Sequence, residues 1–197
     1  YQAGGWLKEF AEDSLDRGNR SMRLLSRYMN IRVAGLAMRL GRAFFGGERD
    51  LDGGWYGNDT VWRMCLDLQR ILHYGNGDGR ICDTPQRKVI TITDAIIAGD
   101  GDGPLSPSPV PLGIMTLGTN VVALDWVHCL LMRLDPQKIP LVAHAFEKTD
   151  WPLADFTPDD IQVCVNSKIL PDLESVDKFS RYFSPPAGWK GHCELTG

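Results

Sequence analysis

The chain has 197 residues, of which 43% are hydrophobic and 23% are charged. This length and composition are typical of a globular domain with a substantial core, and they exclude an intrinsically disordered protein. The formal net charge of −4 is too small to indicate a nucleic-acid partner. No apolar run approaches the roughly 18 residues of a membrane-spanning helix, so we expect no membrane span.

The five cysteines stand far apart in the sequence, at Cys65, Cys82, Cys129, Cys164 and Cys193. There is no C-x-x-C pair, so we expect no iron–sulfur cluster or zinc ribbon in this chain. Their number is odd, and several lie within apolar runs. This usage is typical of reduced thiols in a cytoplasmic protein.

The N-terminal part of the chain is rich in arginine. Seven arginines and no acidic residue lie between residues 17 and 47, interleaved with large side chains such as Phe44 and Phe45. We predict a helical arm over residues 1–50 and an α/β body over residues 51–197, forming one domain overall. The apolar residues favour packing of the arm over contact with an anion. Because the sequence opens at Tyr1 without a methionine, we expect its partner to be a missing N-terminal half or a second copy.

Residues 58–73 form the clearest predicted helix. Apolar side chains recur at the i, i+3, i+4, i+7 spacing from Val61 onward, and Asn58 or Asp59 can cap the start. Asp59, Arg63 and Asp67 then lie on the side that faces water. A helix N-terminus attracts anions, so Asn58 and Arg63 are candidate substrate-binding residues. The alternative is that these residues only cap the helix and bind no substrate.

The middle of the chain reads as strand, loop, strand and helix. Residues 88–98 are β-branched and predict a strand, whereas residues 105–111 hold alternate prolines and predict an extended surface loop. A second strand at residues 112–118 precedes a helix that Thr119 or Asn120 caps and that runs to about Leu134. Residues 161–165 predict an edge strand. The pattern favours an α/β fold with a mixed or parallel sheet flanked by helices, incomplete without an upstream half.

A loop of alternating glycine and aspartate follows the first strand. Glycine admits a ligand close to the backbone, and carboxylates can hold Mg²⁺ or Ca²⁺ or act as a general base. We therefore predict a ligand site at the end of the strand, with a divalent cation as its candidate cofactor. The alternative is a tight turn that uses these residues for their conformation. The residues are Gly99, Asp100, Gly101, Asp102 and Gly103.

Asp125 is the third candidate catalytic residue, with Asp100 and Asp102. It is expected in the first turn of its helix, where exposed amides favour a carboxylate. His128, Cys129 and Met132 follow on the same side of the helix and could ligate a metal with it. A buried helix with a few hydrogen-bonded polar groups is the favoured alternative.

Four phrases resemble the prokaryotic family called Domain of Unknown Function 362. They are DAIIAGDGDGPL at residues 94–105, GTNVVALD at 118–125, WYGNDTVWR at 55–63 and GWKGH at 188–192. The resemblance covers roughly residues 55–195. It implies a longer protein whose upstream half precedes this chain, and it leaves the reaction open.

Two functions remain possible from the sequence. The first is an enzyme, or part of one, that acts on a small polar or anionic molecule through Asp100, Asp102 and Asp125. The second is a non-catalytic binding or assembly module that docks through the arginine-rich arm. An enzyme requires these carboxylates and Arg63 to converge on one pocket, whereas a docking module does not.

Overall fold

The computed structural model of the chain describes residues 54–103 and 106–195. They belong to one compact unit, Gly54–Gly197. The predicted arm over residues 1–50 lies outside the described residues. Among those that are described, no helix is long and apolar enough to cross a membrane.

The first described helix, α1, spans Val61–Tyr74 and confirms the predicted helix. The N-cap residue is Thr60 rather than Asn58 or Asp59, and its side chain makes no capping hydrogen bond. Asn58, two residues earlier, still contributes: its Oδ1 accepts hydrogen bonds from the backbone N–H groups of Thr60 at 3.0 Å and Val61 at 3.2 Å. An amide oxygen at this position satisfies donors that the helix itself leaves without partners.

The buried side of α1 differs from the side that its apolar periodicity indicates. Leu66 is only 4% exposed and packs on Val122 and Ala145. Five of the six residues in the predicted apolar stripe are instead 41–56% exposed, and the sixth, Cys65, is half-buried, so this prediction was wrong. Burial follows from where the neighbouring helices lie, which the sequence of α1 alone does not specify. The exposed stripe comprises Val61, Met64, Leu68, Ile71 and Leu72.

The two predicted strands are present and pair directly. β1 spans Thr91–Ala95 and β4 spans Ile114–Gly118, joined antiparallel with Ile92 opposite Leu117. Ile114 packs into the core, and a Cβ on Gly118 would lie 2.9 Å from Cγ of Leu124. Glycine at the end of β4 thus lets the following helix approach the strand closely.

The segment predicted as a proline-rich loop is a strand. β2 spans Ala98–Asp102 and pairs antiparallel with β3, Ser106–Val110. Proline has no N–H to donate, which normally excludes it from paired strands. In an antiparallel pair, however, alternate residues direct their backbone groups away from the partner. The alternate spacing of Pro107 and Pro109 places both at such positions.

Each glycine within β2 lies opposite a proline of β3. Gly101 lies opposite Pro107, and Gly99 lies opposite Pro109. A Cβ on Gly99 would lie 2.9 Å from Cβ of Pro107, closer than packed carbon atoms approach. The Gly/Asp phrase and the proline phrase are therefore two complementary halves of one hairpin.

All strand pairs within residues 54–103 and 106–195 are antiparallel. A third pair joins β5, Cys164–Val165, to β6, Lys168–Ile169. The expected combination of helices and strands is present, and β5 lies within the predicted edge strand. The expected mixed or parallel sheet is not found in this part of the chain, because β1 and β4 are joined through the β2–β3 hairpin rather than by a crossover helix.

The central helix, α2, spans Val121–Leu131 and contributes to each of three hydrophobic clusters. Asn120 caps it by accepting the Ala123 N–H at 3.1 Å, as the sequence predicted. It ends three residues before the predicted Leu134, since Arg133 adopts a left-handed conformation with φ of 59°. A short helix, α3, spans Pro140–Ala143.

Candidate functional site

Asp100 and Asp102 hold the C-terminal segment of the chain. Asp100 Oδ2 accepts the Ser184 N–H at 3.0 Å, and Asp102 Oδ1 accepts the Ala187 N–H at 2.9 Å. The N–H of Gly101 donates to the Ser184 carbonyl at 2.8 Å. The β2 strand therefore meets residues 184–187 through its backbone and through both carboxylates.

These contacts give Asp100 and Asp102 a structural role, and the divalent-cation site stays a prediction. Each aspartate already binds a backbone amide, and Gly99 meets a proline ring rather than open space. A Cβ on Gly101, by contrast, would meet nothing within 4 Å. In the described part of the chain, no group of three or more His, Cys, Asp or Glu residues could hold a metal ion.

Asn58 and Arg63 are both engaged locally. Asn58 accepts the Val61 N–H at the start of α1, and Arg63 forms an ion pair with Asp59 at 3.0 Å. The Arg63 guanidinium also lies 4.3 Å from the ring centre of Trp62, which stacks on His144 at 4.2 Å. These two candidate binding residues therefore lie at the start of α1, where Arg63 contacts both an aspartate and an aromatic ring.

Asp125 lies in the middle of α2 rather than in its first turn. α2 is apolar on nearly all sides, which is typical of a buried helix. Asp125 and His128 interrupt it on one side, with 3.8 Å between Asp125 Oδ1 and His128 Nδ1. The other ring nitrogen of His128, Nε2, lies 2.8 Å from Thr116 Oγ1 on β4. A carboxylate, an imidazole and a hydroxyl thus form a continuous polar row between the helix and the strand.

A cleft of about 240 Å³ opens beside this row. Its wall is formed by α1, α2, α3 and Leu153. Gln69 and Asp125 supply the polar oxygen and nitrogen side chains among the residues that line it, and Asp125 is the charged one. Within the described residues, no donor lies at hydrogen-bond distance from the Asp125 carboxylate. The carboxylate is therefore available to a molecule in the cleft.

Cys129, the residue after His128, is buried in the core. Burial raises the pKa of its thiol to about 12, with a further contribution from the Asp125 charge. The thiolate, and not the thiol, ligates metals and attacks electrophiles. Cys129 consequently remains a protonated core side chain that packs with Trp126 and Val142.

Sequence reasoning found Asp125 and His128 from their helical spacing but missed two of their neighbours. Thr116 and Gln69 come from β4 and α1, and they meet α2 only through tertiary packing. The inward position of Thr116 in the alternating strand was the available signal. Asp125 and Gln69 line the cleft, and Asp100, Asp102, Asn58 and Arg63 are not among its lining residues.

Part of the chain is similar to a thylakoid-associated protein of Synechocystis sp. The two are 37% identical over 54 residues, which make up 27% of this chain and 17% of the relative. The matched part is thus a small share of that protein's length. No family model matches the chain, and no solved structure matches it. A similarity of this extent identifies neither the family nor a site residue.

Proposed function

We propose that this chain is an enzyme, or part of one, that acts on a small polar molecule bound in the cleft between α1, α2 and α3. Asp125 is the group that accepts a proton from the substrate. The observation that carries the proposal is the Asp125 carboxylate itself, which lines an apolar cleft without a hydrogen-bond donor from the described residues. The resemblance of GTNVVALD, residues 118–125, to a family signature independently draws attention to the same aspartate.

The surroundings of Asp125 suit proton transfer. The Asp125 side chain is 42% exposed, so a small substrate in the cleft can reach its carboxylate. His128, 3.8 Å away, can stabilise the charge of Asp125 or carry a proton onward. Thr116 positions the imidazole through its 2.8 Å contact with Nε2. Asp100 and Asp102 have no part in this mechanism, because they hold the C-terminal segment.

The proposal predicts general-base activity that depends on Asp125. A suitable probe is 5-nitrobenzisoxazole, a small flat molecule that needs only a base. Removal of its C3 proton breaks the N–O bond and releases a coloured cyanophenolate. We expect the full chain to accelerate this elimination and Asp125→Asn to lower the rate roughly tenfold or more, since an amide cannot accept the proton. Absorbance of the phenolate gives the rate.

Asp83→Asn is the matched control, because Asp83 is an exposed carboxylate outside the cleft. It changes the net charge by the same amount and should leave the rate unchanged. Circular dichroism establishes that both variants are folded. An Asp125→Asn rate equal to that of the unsubstituted chain, or an equal loss in Asp83→Asn, would contradict the proposal.

The alternative function is an assembly module that docks through the arginine-rich arm. Its arm, residues 1–50, lies outside the described residues, so this alternative stays a proposal beside the enzyme. Family membership and a cytoplasmic location stay proposals that rest on the four sequence phrases and on cysteine usage.

A further inference from the structure

The charge on the wall of the cleft restricts what the cleft can bind. Among the described residues that line it, Asp125 is the ionised side chain, and neither lysine nor arginine is present. An anionic ligand would meet a carboxylate with no compensating cation on the wall. A ligand that fills a cleft of about 240 Å³ must also cover the half-buried apolar side chains of Val121, Leu141 and Leu153.

We propose that the ligand of this cleft is a small organic cation, a primary ammonium group on a short apolar body. This inference rests on the proposed function only in taking Asp125 to be the group that meets the ligand. It reverses the expectation of an anionic substrate drawn from the start of α1, where Arg63 is already paired with Asp59.

An ammonium group matches the polar atoms in the cleft. It carries three donors and no acceptor, and the Asp125 carboxylate accepts hydrogen bonds without competition from described donors. Hydrogen bonds between charged partners are roughly twice as strong as neutral ones. The Gln69 side chain on α1 supplies a carbonyl oxygen as a second acceptor on the same wall.

The hydrocarbon body follows from the remaining wall. Leu66, Val122 and Ala145 are buried and pack together, so the apolar surface that a ligand can cover comes from the half-buried Val121, Leu141 and Leu153. Apolar surface covered by a ligand contributes roughly 25 cal/mol per Å² to binding, so a short alkyl chain is favoured over a second polar group. The Cys65 side chain completes the α1 side as a weakly polar surface.

Three ligands of equal chain length test the inference: butylammonium, butanol and butyrate, each titrated into the ¹⁵N-labelled full chain. Ionic strength of about 0.15 M screens attraction beyond roughly 8 Å, so the net charge of the protein contributes little. We expect backbone amide shifts at Val122, Asp125 and Ala145, and a dissociation constant for butylammonium roughly tenfold below that for butanol. Butyrate should bind most weakly.

Asp125→Asn should abolish this preference, whereas Asp83→Asn should preserve it. Equal binding of butylammonium and butanol, tighter binding of butyrate, or no binding of any of the three would overturn the inference. The outcome is separable from the proposed function. If the chain prefers butylammonium but does not accelerate the benzisoxazole elimination, the ligand class stands and the general-base role of Asp125 is refuted. If it accelerates the elimination but shows no preference for butylammonium, the general base stands and the ligand class is refuted.

Discussion

Gly188→Ala is expected to destabilise the chain by about 1–3 kcal/mol, the cost of forcing an extra methyl group into a well-packed site. A Cβ at Gly188 would lie 2.3 Å from the carbonyl oxygen of Gly54 and 2.9 Å from Cα of Trp55. Both are backbone atoms, so no side-chain rotation relieves the clash. The Gly188 carbonyl also accepts the Tyr56 N–H at 2.9 Å, and this hydrogen bond would be displaced.

The effect should extend beyond this contact. Tyr56 stacks on His192 with 4.3 Å between ring centres and meets Trp189 edge-on at 5.6 Å. Separation of the backbones at Gly188 would pull these rings apart. Urea unfolding measures the loss of free energy, and Gly77→Ala is the control because a Cβ there meets nothing within 4 Å. Equal stability of the two variants would show that residues 188–192 do not pack as described.

Local chemistry explains which parts of the fold could be predicted. Asn58 and Asn120 accept hydrogen bonds from residues two or three positions along the chain, so sequence alone located both helix starts. The buried side of α1 depends on Leu66 meeting residues of α2 and the turn after α3, far away in sequence. Periodicity predicted the helix and could not predict its rotation.

At β3, a correct rule about proline led to the prediction of a loop where the structure has a strand. Proline cannot donate to a partner strand, and that rule indicated a loop. The spacing of Pro107 and Pro109 puts both at positions that need no donor, opposite the two glycines of β2. A prediction that had compared the proline phrase with the glycine phrase would have recovered the hairpin, because each pattern has a period of two.

The sequence could predict those residues of the candidate site that lie close together along the chain, and it could not predict contacts between distant segments. Asp125 and His128 share one helix, and their i, i+3 spacing showed that they face the same side. Thr116 completes the row from another element. Asp100 and Asp102 bind partners 84 and 85 residues further along the chain, which no local pattern could show.

The double substitution Asp100→Ala with Asp102→Ala should lower the free energy of unfolding by about 1–3 kcal/mol, at the level expected for partly exposed hydrogen bonds to charged groups. The Ser184 and Ala187 amides would lose their acceptors and the C-terminal segment would be held less firmly. Two carboxylates arranged for a ligand would behave differently, since removing neighbouring like charges relieves repulsion and leaves stability equal or higher.

The comparison needs two further variants. Asp100→Asn with Asp102→Asn keeps neutral acceptors at both positions, so its loss should be intermediate. Asp83→Ala with Asp150→Ala removes two exposed carboxylates that form no hydrogen bond or ion pair with described residues, and it should leave stability nearly unchanged. Urea unfolding of the three double variants ranks their free energies of unfolding. If the alanine pair at Asp100 and Asp102 is as stable as the unsubstituted chain, these carboxylates do not anchor residues 184–187, and the predicted ligand site at the Gly/Asp loop regains its support.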